Sequence, residues 1–205
     1  METTRLIIVA VGGQGNLLAS KVLGEAALIS GVKVRMSEIH GMAQRGGIVE
    51  SAIVFGDATS SIISDAEADI LVGFEPIETL RALNRCNKHT KVITNTAILP
   101  PFTVSIGEGV YPEVETVKEL ITQKCASLVA VDAMALAQKA KSPMSVNIVL
   151  LGALIQTGSL GFTKENVIEA IKRRTKPAFL DNNLYAFELG FEAAREYSEL
   201  QAYKK

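Results

Sequence analysis

Residues 6–11, LIIVAV, are apolar without a break. That is the pattern of a strand covered on both faces, not of one with a wet side. Gly12, Gly13, Gln14 and Gly15 follow at once, and residues 16–30 then place Leu17, Leu18, Val22, Leu23, Ala26 and Ala27 at helical spacing, with Gly31 positioned to end the helix. Residues 32–39 alternate as a second strand. After a polar, glycine-bearing loop, residues 48–55 read as a third, closed by a turn at Gly56 and Asp57. ADILVGF (68–74) is a fourth strand. EPIETLRALNRC (75–86) reads as a helix with Glu75 and Pro76 at its start and Arg81 and Arg85 further on, an order that suits the helix dipole. KVITN (91–95) is a fifth strand, residues 100–113 are irregular or a small hairpin, residues 114–124 are a helix, and SLVAVDA (127–133) is a strand.

The last third changes character. Residues 145–158, 163–174 and 182–200 all carry helical patterns, and Thr163 with Asn166 three places on has the spacing of an N-cap. Alternating strands and helices predict a single domain over residues 1–205. Its fold class is α/β: three-layer α/β/α and Rossmann-like, with a mostly parallel or mixed sheet and a helical C-terminal third. The short link from the second strand to the third allows one strand to run antiparallel.

Charge and cysteine content then narrow the function. Lys plus Arg number 21 and Asp plus Glu 22, a net charge of −1, so no basic excess marks a nucleic-acid surface. The two cysteines, Cys86 and Cys125, form no C-x-x-C and cannot build an iron–sulfur site alone. The apolar run at 6–11 is too short for a signal core, and no run reaches the ~18 residues of a membrane span. The expectation is a soluble cytoplasmic protein that contacts neither nucleic acid nor membrane. A hydrophobic content of 48% leaves room for a partner surface.

A strand–glycine–helix turn aims backbone N–H groups at a helix N-terminus, where phosphate or carboxylate binds well. Counted from Gly13, the dinucleotide fingerprint G-x-G-x-x-G/A meets Leu18 at its third small position. Leucine there obstructs the close helix–strand packing that the motif needs, which disfavours a dinucleotide. Two readings stay open: a tight turn that needs positive φ and nothing more, or an anion cradle.

The loop after the second strand, SEIHGMAQRGG, is the next informative run. Glu38, His40, Gly41, Met42, Gln44, Arg45, Gly46 and Gly47 follow one another there. The glycines let the backbone approach a ligand or partner chain, and Arg45 offers a planar cation for carboxylate or phosphate. The plainer alternatives are a hydrogen-bonded loop histidine at His40, an arginine bracing carbonyls at Arg45, and packing at Met42 and Gln44. A loop so dense in Gly, His, Gln and Arg favours function. It also leaves the carboxyl end of a strand, as the Gly12–Gly15 turn does, so the two are expected to converge.

VGGQGNLLASKVLGEAA followed by SEIHGMAQRGG resembles the gamma subunit or domain of the 2-oxoacid:ferredoxin oxidoreductases, and within that family the small subunit of the indolepyruvate enzymes. ADILVGFEPIETLR, ITNTAILPP, DAMALAQKA and VNIVLLGALIQTG extend the resemblance along nearly the whole chain. The resemblance implies oxidative decarboxylation of a 2-oxoacid on thiamine diphosphate, with electrons passing through iron–sulfur clusters to ferredoxin and the acyl group to coenzyme A. It places thiamine, magnesium and clusters on a larger partner subunit. FGDAT has Ala58 where a G-D-G thiamine motif needs its second glycine, which agrees with an accessory role for this chain. Gly12, Gly13, Gln14, Gly15 and, more weakly, Asn95 and Asn147 are then expected near a phosphate of coenzyme A, with the 38–47 loop facing the partner or the shared active site. No catalytic residue and no metal ligand is assigned. A purely structural assembly subunit and a stand-alone nucleotide-binding oxidoreductase are the alternatives.

Overall fold

In a computed structural model, which describes residues 3–40, 48–100 and 110–203, six strands form one sheet in the order β2-β3-β1-β4-β5-β6. They are β1 (Thr4–Val11), β2 (Val34–His40), β3 (Ile48–Phe55), β4 (Ala68–Gly73), β5 (Cys86–Asn95) and β6 (Ser127–Val131). Every neighbouring pair is parallel except those of β3, which runs antiparallel to both β1 and β2. This is the reversal that the short second connection allowed. The helices among the described residues are α1 (Asn16–Ile29), α2 (Pro76–Arg81), α3 (Val114–Lys124), α4 (Ala133–Lys139), α5 (Val146–Gln156), α6 (Lys164–Arg174) and α7 (Pro177–Tyr203).

The unbroken apolar strands are explained by two cores, one on each face. Leu6, Ile8, Ile53, Phe55, Ile70, Val72, Ile93 and Val129 point to the face covered by α1, α4, α5, α6 and α7. Their chain neighbours Ile7, Val9, Val54, Leu71, Val92 and Leu128 point to the other, where Leu83, Val117 and Ile121 from the α2 and α3 region meet them. Period-two alternation thus survives inside an all-apolar run, because both faces are dry.

Helix α5 has no wet side: residues Val146 through Ile155 are all buried. It lies against α7 at backbone distance. A methyl group added at Gly152 would sit 2.0 Å from the Phe187 carbonyl oxygen, and one at Gly190 would sit 1.9 Å from that of Val149. Two glycines facing opposite carbonyls therefore set how closely the C-terminal helices approach.

Three details depart from the pattern reading. The helix expected over 75–86 ends as α2 at Arg81, continues as a 3₁₀ turn over Ala82–Arg85, and gives way to β5 at Cys86. The first half of β5 is polar and solvent-facing in part, so periodicity hid it. The strand expected over 127–133 ends at Val131; Asp132 instead caps α4, accepting the Ala135 N–H at 2.9 Å. Helix α7 begins at Pro177, well before the pattern becomes periodic. The Thr163 cap is present, with the reciprocal Asn166 bond that completes a capping box.

Gly152→Val is expected to lower stability by about 3 kcal/mol or more, or to abolish folding, because no rotamer change clears a backbone carbonyl. Urea denaturation followed by circular dichroism measures it.

Candidate active-site edge at the glycine turn

The carboxyl ends of β1, β4, β5 and β6 share one edge of the sheet, and β3 begins there, Ile48 lying opposite Val11. The glycine turn leaves β1 at this edge. Gly13 and Gly15 hold φ of 100° and 81°, the left-handed region that glycine enters without strain. Gln14 fastens the turn. Its N–H donates to the Val11 carbonyl at 3.2 Å, its Oε1 accepts the Val11 N–H at 2.8 Å, and its Nε2 donates to the Phe74 carbonyl at 3.2 Å. The Gly15 carbonyl in turn accepts Nδ2 of Asn147 at 3.1 Å. A side chain at Gly15 would begin 2.6 Å from that same nitrogen.

Asn95 ties the far side of the edge. Its Nδ2 donates to the Phe74 carbonyl at 3.1 Å, and its Oδ1 accepts the N–H groups of Ala97 and of Ala133, at 3.1 and 3.0 Å. Buried Asn16 does the same on the near side: Nδ2 donates to the Val49 carbonyl at 3.1 Å, and Oδ1 accepts the Ser51 hydroxyl at 2.8 Å. These amides tie the segments that leave β1 and β5 to neighbouring strands by side-chain bonds.

Gly13, Gln14 and Asn95 line one cleft of about 190 Å³, walled by Ile98, Leu99, Met134 and Met144. Four large apolar side chains stand partly exposed around a polar floor. Helix α1 follows the lining residue Gln14, with Gly15 at its N-cap, no capping side chain, and no acidic residue in its first turn. Its positive end is therefore not compensated locally, a setting that favours an anion. A wider groove of about 460 Å³ lies by β6 and α7, but its cation, Lys91, is tied to Ser159 at 3.0 Å.

Glu75 shapes the cleft wall from beneath. It is wholly buried, its Oε2 accepts the Glu78 N–H at 3.1 Å, and its Oε1 accepts the Leu99 N–H at 3.3 Å and the hydroxyl of Tyr111. Burial, then the bond to Glu75, pushes the Tyr111 phenol up, so it stays a donor. Burial also raises Glu78 above its ordinary 4.5, the Arg81 guanidinium opposes the rise, and the charge of Glu75 adds to it. Among the described residues, Oε2 of Glu78 has no hydrogen-bond partner.

The structure thus brings Gly12, Gly13, Gln14, Gly15 and Asn95 to one edge. Glu38 lies farther along, on β2, where its carboxylate accepts the Ser20 hydroxyl at 3.1 Å. His40 closes β2 opposite Val49. Gly41, Met42, Gln44, Arg45, Gly46 and Gly47 lie outside the described residues. Pattern reading did not single out Glu75 as a wall-builder, nor Met134 and Met144. The usable signals were an acid directly after a buried strand and a methionine following Pro143 in a polar turn. Among the described residues, no three His, Cys, Asp or Glu side chains are grouped to hold a metal ion, and no helix is long and apolar enough to cross a membrane.

The sequence model for pyruvate ferredoxin/flavodoxin oxidoreductase matches residues 5–193. The chain belongs to this family. It is 40% identical over 202 residues to the indolepyruvate oxidoreductase subunit IorB of Pyrococcus horikoshii, covering 98% of this chain and 100% of that protein. By fold it is similar to the gamma subunit of keto/oxoacid ferredoxin oxidoreductase from Geobacter sulfurreducens, with a TM-score of 0.69, 22% identity, and coverage of 94% of this chain and 99% of that one. It is also similar to 2-oxoglutarate:ferredoxin oxidoreductase from Magnetococcus marinus, with a TM-score of 0.72 and 16% identity. There it covers 96% of this chain and 32% of the other. Family membership and fold therefore agree with the α/β architecture seen here.

Two outcomes test the geometry of this edge. Gly15→Ala is expected to destabilise the chain by about 1–3 kcal/mol, from left-handed backbone strain and displacement of the Asn147 amide, measured by thermal melting. The raised Glu78 pKa means the folded state binds this proton more tightly than the unfolded state. Its contribution to stability is full below the ordinary value and is lost as pH rises through the folded value. Glu78→Gln is expected to flatten the fall in stability above pH 4.5, read from urea midpoints across a pH series.

Proposed function

We propose that this chain is the small, accessory subunit of a 2-oxoacid:ferredoxin oxidoreductase of the indolepyruvate or arylpyruvate type. The enzyme converts a 2-oxoacid to an acyl-CoA and carbon dioxide while reducing ferredoxin. Thiamine diphosphate, magnesium and the iron–sulfur clusters sit on a larger partner subunit. This chain contributes a wall of the coenzyme A and active-site region, together with a docking face.

The observation that carries this reading is the 40% identity, along 98% of the chain, to a protein itself named as a subunit of indolepyruvate oxidoreductase. The cleft supports it physically. At about 190 Å³ it falls below the roughly 300–1,000 Å³ of sites that enclose a ligand by themselves. Amides at the start of α1 suit a phosphate oxygen of coenzyme A, and the apolar wall suits its uncharged arm or an aryl group. The Magnetococcus marinus enzyme, which contains this fold as about a third of its chain, has been solved with coenzyme A bound. The 38–47 loop, flanked by strand ends at the same edge, faces the partner in this arrangement.

A second reading has its own support. Both the oxygen and the nitrogen of the Gln14 and Asn95 side-chain amides bond backbone groups. They therefore act as braces, and the turn serves assembly alone if its free amides touch no cofactor.

Reconstitution with the large subunit separates the two readings. In the reconstituted complex, Gly13→Ala is expected to co-elute normally and to raise KM for coenzyme A by roughly 10-fold or more. That is the size of one lost charge-assisted hydrogen bond. An unchanged KM with intact assembly leaves the turn a structural brace. Failure of the wild-type chain to co-elute with the large subunit overturns the accessory-subunit reading.

A further inference from the structure

The chain's only two cysteines lie at the end of the sheet opposite the cleft. Cys86 opens β5 and is 1% exposed; Cys125 joins α3 to β6 and is 9% exposed. Both belong to the same apolar cluster, with Val92, Val117 and Ile121 around them. Buried Thr90 anchors the residue after each cysteine: its Oγ1 accepts the Asn87 N–H at 2.8 Å, and its carbonyl accepts the Ala126 N–H at 2.9 Å. A further bond, from Thr90 Oγ1 to the Ala68 carbonyl at 2.6 Å, fixes the anchor to β4. One residue therefore bonds the backbone next to each cysteine. The thiols are near enough that each shifts the other's proton: Cys86 is pushed up, Cys125 down, and the Lys124 cation favours both thiolates.

We propose that Cys86 and Cys125 form a reversible intrachain disulfide by exchange with a low-molecular-weight disulfide. Cys125 is the attacking sulfur, being the less buried of the two and lying beside Lys124. Its thiolate bonds to one sulfur of the small disulfide, whose S–S bond breaks and releases one small thiol. Cys86 then loses its proton and attacks the Cys125 sulfur, expelling the second small thiol. The two cysteines give up two electrons and two protons, and the small disulfide takes both as two thiols. The new bond ties the end of α3 to the start of β5, across the polar half-strand that ladder pairing holds least regularly. Nothing in the cleft takes part, so this site is independent of the function proposed above.

The test uses the folded full-length chain. It is incubated with oxidised glutathione, then alkylated in denaturant and weighed intact. The expected product is about 2 Da lighter than the reduced chain, takes up no alkylating reagent, yields one Cys86–Cys125 cross-linked peptide, and returns to two alkylatable thiols with dithiothreitol. Cys86→Ser is expected to stop at a single glutathione adduct on Cys125, since the resolving sulfur is gone. The proposal is overturned if the wild-type chain keeps two alkylatable thiols, stops at a stable glutathione adduct, or forms a covalent dimer on a non-reducing gel. These wild-type readouts stand even if the serine variant does not fold.

Discussion

The carbonyl oxygen of Phe74 accepts two side-chain amides, from Gln14 on the first turn and from Asn95 at the end of β5. Phe74 is the residue just past β4; its N–H still donates to the Val9 carbonyl of β1 at 2.9 Å, while its carbonyl takes the two side chains. Without a donor there, a buried carbonyl would be left unpaired, and the loops that leave β1, β4 and β5 would have no common reference point. With two donors, the glycine turn, the start of α2 and the entry to α4 are fixed relative to one another. The cleft exists because those three departures are held open around a shared atom.

That junction also explains the division of labour among the polar residues. Side chains at the edge, those of Gln14, Asn16, Asn95 and Asn147, are turned inward and bind backbone groups of this chain. What remains for a ligand is main chain: the amides at an α1 N-terminus with neither a capping side chain nor a first-turn acid. A site of this kind recognises charge and shape through the backbone and leaves chemistry to whatever else is brought to it.

The opposite end of the sheet follows a different logic. There Thr90 replaces missing ladder contacts with one hydroxyl and one carbonyl, which bond the residue after each cysteine. The C-terminal helices depend on close approach: two glycines let α5 and α7 touch backbone to backbone, which buries every side of α5.

By itself the sequence determined the α/β class, the two-faced burial of β1, the positions of α1, α3 and α6, and the departure of the glycine turn from the carboxyl end of a strand. These rest on local periodicity, caps and glycine geometry, which act over a few residues and leave marks a reader can count. Tertiary structure alone decided that β3 inserts antiparallel between β1 and β2, that polar residues Cys86 to Thr90 form half of a strand, and that residues 133–139 leave the sheet as a helix. It also decided that Gln14 and Asn95 share one carbonyl, and that Glu75 holds Leu99 and Tyr111. Each of these joins residues more than twenty positions apart or trades local propensity for a distant hydrogen bond. Such partners are chosen by which groups are buried together once the layers close, and no spacing along the chain encodes that choice.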